Sequence, residues 1–283
     1  MAKSINTVTT PDGVTLHYET TGQPSPSRPT LLFHHYYGGS PATFHTVLSQ
    51  PDIERFHSIS YHARGWAPST GPLDPEENAY SIAKLSADLA AVVSATNLAD
   101  PDGAGFVIVG HSMGAKVAQH YAATHNDDAS SLGLKGLILV APAPLSGLDF
   151  PADARAQQRA AYQSAEGVRF VLDHVLTAGP GCLSEEVKSQ CVRDSMSGNE
   201  GATAAWPEYA CAENYGDLEG DIGVPVIVLR GDKDFERSLL GKDEVGAERG
   251  WENRVVEGCG HLVPLEKPRW LAGEISRFVQ RVK

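Results

Sequence analysis

The sequence FVIVGHSMG, at residues 106–114, decides the fold and indicates the chemistry. Four apolar residues come first, and a Gly-x-Ser-x-Gly pentapeptide follows them at residues 110–114. The two glycines permit a sharp turn from a strand into a helix, which keeps the hydroxyl of Ser112 clear of its neighbours. Residues 115–125 continue with a helical pattern, so free N–H groups at the helix start would face that serine. The stretch therefore predicts a strand, a turn that presents Ser112 as a nucleophile, and a helix.

The same pentapeptide has a second interpretation, a glycine turn with a purely structural role. Short motifs of this kind arise by chance in a chain with 28 glycines. The strand pattern before it and the helix pattern after it favour the nucleophile, because the chemistry requires that setting.

Short apolar runs on both sides of this stretch predict the other strands. Their near-continuous apolar character is typical of parallel strands that helices cover on both faces. Besides residues 106–109, the predicted strands are residues 30–34, 56–61, 137–140, 224–230 and, more briefly, 254–256. Residues 5–9 and 14–18 flank the turn 11–13 and are expected to form a hairpin at the edge of the sheet.

Helical patterns lie between these strands. Apolar residues at 82, 85, 89 and 92 share one face, and those at 271, 275, 278 and 282 do so in a final helix that Pro268 opens. Ser40 before Pro41 is typical of a helix start. The alternation predicts an α/β fold with three layers and right-handed crossovers.

Residues 144–221 break this alternation, since they offer helical segments but no convincing strand. We interpret them as an inserted helical cap, with residues 1–143 and 222–283 as the core domain. A run of ordinary crossover helices is the alternative.

Composition excludes several classes of partner. The net charge of −12 gives no footprint for nucleic acid or an anionic membrane surface. No stretch approaches the length of a membrane span, so a cytoplasmic protein is expected. The four cysteines match no zinc or disulfide pattern and are interpreted as free thiols. Oligomeric state cannot be inferred from the sequence.

A serine nucleophile needs a base that a third group orients. His261 follows a short apolar run and lies between glycines and the last helix, so it is expected on a loop at a strand end. Asp232 and Asp234 both follow the strand 224–230, and either could be the acid. The chain order serine, aspartate, histidine is the one that this type of fold uses.

With these residues the chain resembles the α/β-hydrolase fold family, in particular its single-domain esterases, lactonases and cofactor-free haloperoxidases. The resemblance covers nearly the whole chain outside the cap and implies a mostly parallel, eight-stranded sheet. In that family a Gly-x-x-Asp pattern carries the acid, which matches Gly231 and Asp234. Residues 260–268 resemble the segment around the catalytic histidine, and residues 62–69 resemble a structural loop, with His62 in place of its usual aspartate.

Two backbone N–H groups are expected to form an oxyanion hole. Met113, after the nucleophile, supplies one. The resemblance implies that Tyr36 supplies the other, from a loop in which His35 replaces the family's glycine.

Five side chains are candidates for substrate contact: His35, Tyr37, His111, Trp206 and Tyr209. His35 and Tyr37 could instead pack beneath the cap. Trp206 and Tyr209 could simply pack the cap onto the core. A metal site at His34 and His35 is not expected, because adjacent residues rarely converge on one ion. No cofactor is expected.

The sequence therefore predicts a serine hydrolase that cleaves a small, partly apolar ester, lactone or related acyl substrate through an acyl-enzyme. One alternative is another reaction on the same triad: perhydrolysis with haloperoxidase-like activity, carbon–carbon bond cleavage, or a lyase reaction. The other is a receptor-like protein that uses the pocket to bind a ligand.

Overall fold

A computed structural model describes residues 3–73, 78–100, 103–125, 133–235 and 245–282 of the chain. Eight strands of these residues form one sheet in the order β1-β2-β4-β3-β5-β6-β7-β8. They are β1 (Lys3–Thr9), β2 (Thr15–Thr21), β3 (Thr30–His34), β4 (Ser58–Tyr61), β5 (Phe106–His111), β6 (Leu134–Val140), β7 (Val226–Gly231) and β8 (Glu252–Val256). Strand β2 pairs antiparallel with β1 and β4, and the pairings from β4 through β8 are parallel. The predicted edge hairpin and the mostly parallel sheet are confirmed.

Burial along the strands explains their order. Every residue of β3, β4, β5 and β7 is buried, as apolar runs require when both faces are covered. Strand β1 is mostly exposed and rich in threonine, serine and lysine, so it tolerates the edge of the sheet.

Helices cover both faces of the sheet, as predicted. Those of the described residues are α1 (His45–Leu48), α2 (Ile82–Ala95), α3 (Met113–Thr124), α4 (Ala152–Ala161), α5 (Ala165–Val171), α6 (Glu185–Ser195), α7 (Glu200–Ala205), α8 (Val263–Glu266) and α9 (Pro268–Arg281). Alternate residues of β5 separate two apolar cores: Ile108 packs with α2 and α3, whereas Val107 and Val109 pack with α1 and α9. The three-layer architecture follows from this alternation.

Residues 144–221 connect β6 to β7 and contain α4 to α7, with π-helical turns at Leu172–Leu176 and Trp206–Ala210 and a 3₁₀ turn at Gly216–Asp221. They lie against the loops that follow β3 and β4. The hydroxyl of Ser195 donates to the Gly38 carbonyl at 2.9 Å, and Asn199 N–H donates to the Gly65 carbonyl at 2.8 Å. The division into a core and a cap stays a prediction, and "cap" below denotes residues 144–221.

A buried lysine joins the cap to α3, the helix that follows Ser112. Lys116 of α3 is fully buried, and its ammonium donates to the carbonyls of Ala210, Cys211 and Glu213 at 3.3, 2.8 and 2.6 Å. A buried ammonium needs such acceptors, because its desolvation is otherwise very costly. The end of the Trp206–Ala210 turn is thereby fixed over α3.

Among the residues that the structure describes, no helix has the length and apolarity to cross a membrane, and no group of histidine, cysteine or acidic side chains is arranged to hold a metal ion. The cysteines carry free thiols, three of them buried and Cys182 exposed.

Candidate active site

Ser112 occupies the sharp turn between β5 and α3. Its φ of 55° and ψ of −112° lie outside the usual regions for a residue with a side chain. The Ser112 N–H donates to the Val140 carbonyl at 2.9 Å, and its carbonyl accepts the first hydrogen bonds of α3, from Ala115 and Lys116. These bonds on both sides maintain the strained conformation.

The two glycines of the pentapeptide are needed because the backbone is crowded. A Cβ atom at Gly114 would lie 2.4 Å from the His34 carbonyl oxygen, and one at Gly110 would lie 2.5 Å from the Gly114 oxygen. Only a hydrogen fits at either position. Helix α3 can therefore approach β3 closely enough to bring Ser112 beside the loop after that strand.

Asp234 and His261 form a hydrogen-bonded pair. His261 Nδ1 lies 2.9 Å from Asp234 Oδ1, and since a carboxylate only accepts, Nδ1 carries the proton that is donated. This leaves Nε2 as the basic nitrogen. Gly231 allows the approach of the two loops, because a Cβ atom there would lie 2.1 Å from the Cys259 carbonyl oxygen.

Asp232, the other candidate for the acid, has a different partner. Its Oδ1 accepts the Cys259 N–H at 3.1 Å, and this bond lowers the pKa of the carboxyl. His261 is thus paired with Asp234, whereas Asp232 fixes the loop that precedes His261.

The backbone of His261 is held from two further directions. Its N–H donates to the Leu176 carbonyl of the cap at 2.8 Å. His111 Nε2 lies 2.9 Å from the His261 carbonyl oxygen, and the two imidazole rings are 5.4 Å apart. Because Ser112 directly follows His111, this contact brings the serine turn and the histidine loop together.

His111 was predicted as a pocket residue, and the structure gives its ring an internal partner. The ring is completely buried, and burial lowers its pKa to about 3. The neutral ring then carries its proton on Nε2, which donates to the His261 carbonyl. This placement favours a role in joining the two loops; contact with substrate stays a prediction.

Tyr36 and Met113, the predicted oxyanion donors, both adjoin the serine turn. Met113 is the first residue of α3, where helical N–H groups lack acceptors within the helix. The ring of Tyr36 lies 5.2 Å from that of His111. The placement agrees with the predicted roles of their N–H groups, and those roles stay predictions.

His35 supports the Tyr36 loop from within. One ring nitrogen, Nδ1, lies 2.7 Å from the Tyr36 carbonyl oxygen, and the other, Nε2, accepts the Ala63 N–H at 3.0 Å. Gly38 supplies the positive φ of this loop at +82°, so His35 is spared that conformation. Both ring nitrogens serve the fold, which favours the alternative that His35 packs beneath the cap rather than contacting substrate.

The aromatic candidates lie where the cap meets the core. The hydroxyl of Tyr37 donates to the Thr203 carbonyl at 2.6 Å, and its ring stacks on Trp206 at 6.4 Å. The hydroxyl of Tyr209 accepts the Tyr80 N–H at 3.1 Å. Trp206 also lines a small cavity with Met113, of about 10 Å³, which is room for about one water molecule. Of this set, Trp206 has the position best suited to touch a substrate.

The site is closed in this conformation. Relative exposures are 5% for Ser112, 4% for Asp234 and 2% for His261. All three residues are therefore buried in this conformation.

Comparison with known families decides the affiliation of the chain. The model of the alpha/beta hydrolase family matches residues 31–274. The chain belongs to the alpha/beta hydrolase family. The resemblance noted from the motifs is thereby confirmed, as is the prediction of a hydrolase at this general level. No curated protein matched this alpha/beta hydrolase.

Solved structures share its architecture over nearly their whole length. An esterase from Exiguobacterium antarcticum has a TM-score of 0.79 at 18% identity, covering 97% of this chain and 99% of its own. A bromoperoxidase from Bacillus anthracis has 0.80 at 14%, covering 98% and 100%. Epoxide hydrolase A from Mycobacterium thermoresistibile has 0.76 at 18%, covering 100% and 99%. At these identities the likeness shows the fold of this alpha/beta hydrolase and nothing narrower.

Two groups around His261 had no role assigned from the sequence. One is the Leu176 carbonyl, which no sequence pattern could reveal, because any residue carries a carbonyl. The other is the Glu266 carboxylate, which accepts the N–H of Gly260, the residue before His261, and lies in the segment 260–268 that carried the family resemblance. The presence of an acidic side chain in that segment was the sequence feature that could have indicated a role for Glu266.

Proposed function

We propose that this protein is a serine hydrolase in which Ser112 attacks the acyl carbon of a small ester or lactone. His261 Nε2 takes the serine proton, Asp234 orients the imidazole, and the N–H groups of Tyr36 and Met113 stabilise the oxyanion. Water then cleaves the acyl-enzyme with His261 again as base. The observation that carries the proposal is the strained Ser112 turn joined through His111 to a hydrogen-bonded His261–Asp234 pair.

Chemistry supports an acyl substrate over an epoxide. Attack of a serine on an epoxide carbon would leave an ether, which has no acyl carbon for water to attack. An acyl-enzyme, in contrast, is hydrolysed by the same base and oxyanion hole that formed it. A partly apolar acyl group stays an expectation from the sequence, because the cavity that Trp66 and Trp206 line beside Met113 has room for about one water molecule.

The decisive experiment is intact-mass analysis after treatment with a fluorophosphonate probe. We expect one adduct on the wild-type protein and none on Ser112→Ala. Ser86→Ala is the matched control, because Ser86 is also buried but lies on α2. Turnover of p-nitrophenyl acetate should fall by roughly 10⁴-fold or more in Ser112→Ala. An unlabelled wild-type protein without esterase activity would favour the ligand-binding alternative.

A further inference from the structure

Glu266 occupies a position between the histidine loop and the cap. Its Oε1 accepts the Gly260 N–H at 3.0 Å, directly before His261. Its Oε2 accepts the Ala178 N–H at 2.9 Å, in the cap. One carboxylate therefore bridges two backbone segments that are distant in sequence.

A second set of contacts closes the same junction. The Leu176 carbonyl accepts both the His261 and the Leu262 N–H groups, at 2.8 and 3.1 Å. Gly260 is pressed against the cap so closely that a Cβ atom would lie 2.5 Å from the Thr177 carbonyl carbon. The cap residues 176–178 and the loop residues 260–262 are thus joined by direct backbone hydrogen bonds as well as through Glu266.

We propose that Glu266 is a positioning residue that locks His261 to the cap, so that the base is correctly placed only when the cap is seated. This inference rests on the proposed role of His261. A carboxylate suits the task because it accepts two N–H donors at once, and hydrogen bonds to an ionised group are about twice as strong as neutral ones. Seating of the cap and alignment of the base are then one event.

The two N–H donors explain why this position needs a carboxylate, which has two acceptor oxygens. A glutamine at this position has one acceptor oxygen, and its NH₂ group would face the other N–H. Glu266→Gln therefore keeps one arm of the bridge and repels the other. Because the volume is unchanged, the fit of the half-buried side chain at the end of α8 is preserved.

The test measures motion and catalysis separately. Hydrogen–deuterium exchange of peptides covering residues 172–183 and 257–266 reports the junction without any substrate. Steady-state turnover of p-nitrophenyl acetate, with kcat expressed per site titrated by fluorophosphonate, reports the placement of His261. Glu257→Gln is the control, since Glu257 is exposed and lies on the same loop.

In Glu266→Gln we expect faster exchange in both peptides. We also expect a kcat per titrated site lower by about 10- to 100-fold with KM changed by less than about threefold, as small misplacements of a catalytic group produce. Glu257→Gln should match the wild type. If Glu266→Gln does not fold, Glu266→Asp, which is one methylene shorter and reaches one donor at a time, should show a smaller change in the same direction.

Unchanged exchange in either peptide, or a kcat per titrated site within about twofold of wild type, would overturn the proposal. A merely structural Glu266 would lower the melting temperature and the number of active sites but leave kcat per site unaltered. Absence of the fluorophosphonate adduct in the wild-type protein would instead refute the proposed hydrolase, while the exchange data still decide whether Glu266 joins the two segments.

Discussion

The two sides of the site are built in different ways. On the side of the proposed nucleophile, called the nucleophile side below, β5, the Ser112 turn and α3 are consecutive in sequence, and the glycines of one pentapeptide create the geometry. On the histidine side, His261 takes its place from contacts with Asp234, Leu176 and His111, which come from three separate segments. A local turn depends on its own residues, whereas an assembled site depends on the whole fold.

This difference predicts how each side fails. Substitutions on the nucleophile side should disturb folding as well as activity, because the same glycines hold helix α3 against β3. Substitutions on the histidine side should lower activity with little effect on folding, because each contact can be removed while the others keep the loop in place.

After Ser112→Ala, the largest effect is expected for Asp234, the proposed acid. Asp234→Asn should lower turnover of p-nitrophenyl acetate by roughly 10⁴-fold, because an amide favours the wrong tautomer of the histidine. The free energy of unfolding should change little, since the Leu176 and His111 contacts remain. Asp232→Asn, two residues away, should keep activity within about tenfold of wild type. Equal losses in the two variants would remove the distinction that the geometry makes between these carboxylates.

Gly114→Ala should destabilise the protein by about 3 kcal/mol, the upper part of the range for overpacking. The new Cβ would lie 2.4 Å from the His34 carbonyl oxygen, so α3 must shift away from β3. Urea denaturation measures the change. Gly273→Ala is the control, because a Cβ there, on α9, meets only the flexible end of Arg277 at 3.5 Å, and alanine should stabilise that helix slightly. Equal stability of the two variants would show that the nucleophile turn tolerates a side chain.

Acid should weaken the protein through the buried histidines between the two sides. Burial lowers the pKa values of His35 and His111 to about 3. Because the unfolded forms titrate near 6.5, the unfolded chain binds more protons between pH 3 and 6.5. The stabilising contribution is complete above pH 6.5 and is lost as the pH falls through that window.

Between pH 7 and pH 5 this loss should reach up to about 2 kcal/mol for each of the two histidines. Urea denaturation at the two pH values measures it. His111→Gln should reduce the pH dependence, because glutamine does not titrate and can still donate to the His261 carbonyl. His174→Gln, at an exposed position, is the control for the exchange of histidine for glutamine. A pH dependence that is the same in both variants would contradict the assignment.

The smallest effect is expected for Tyr209→Phe. Loss of the hydroxyl leaves the Tyr80 N–H without its acceptor, which should cost about 1 kcal/mol of unfolding free energy. KM for p-nitrophenyl acetate should stay within about twofold of wild type. Trp206→Ala is the comparison, because Trp206 lines the cavity beside Met113. A large rise in KM for Tyr209→Phe would restore the prediction that this tyrosine contacts substrate.

Sequence patterns predicted the nucleophile side in detail because its physics is local. Apolar strand, glycine turn and helix follow one another in the sequence, so the position of Ser112 in the turn between strand and helix could be inferred directly. The Asp234–His261 pairing was favoured by a family pattern over Asp232, and the structure places the two side chains in contact.

What the sequence could not reveal are contacts whose chemistry is common to every residue. No feature of the amino-acid sequence indicates that the Leu176 carbonyl accepts the His261 N–H. His35 and His111 were predicted to contact substrate because they adjoin the catalytic motifs in the sequence. The structure shows that both His35 ring nitrogens and His111 Nε2 have backbone partners.

Lys116 gives the molecule an internal label. Its ammonium is enclosed by three cap carbonyls, so amine-directed reagents can modify it only when residues 210–213 have lifted from α3. The rate at which this one lysine is modified, relative to exposed Lys233, therefore counts the openings of the cap. The buried amine that stabilises the closed form can therefore also be used to measure how often the protein leaves that form.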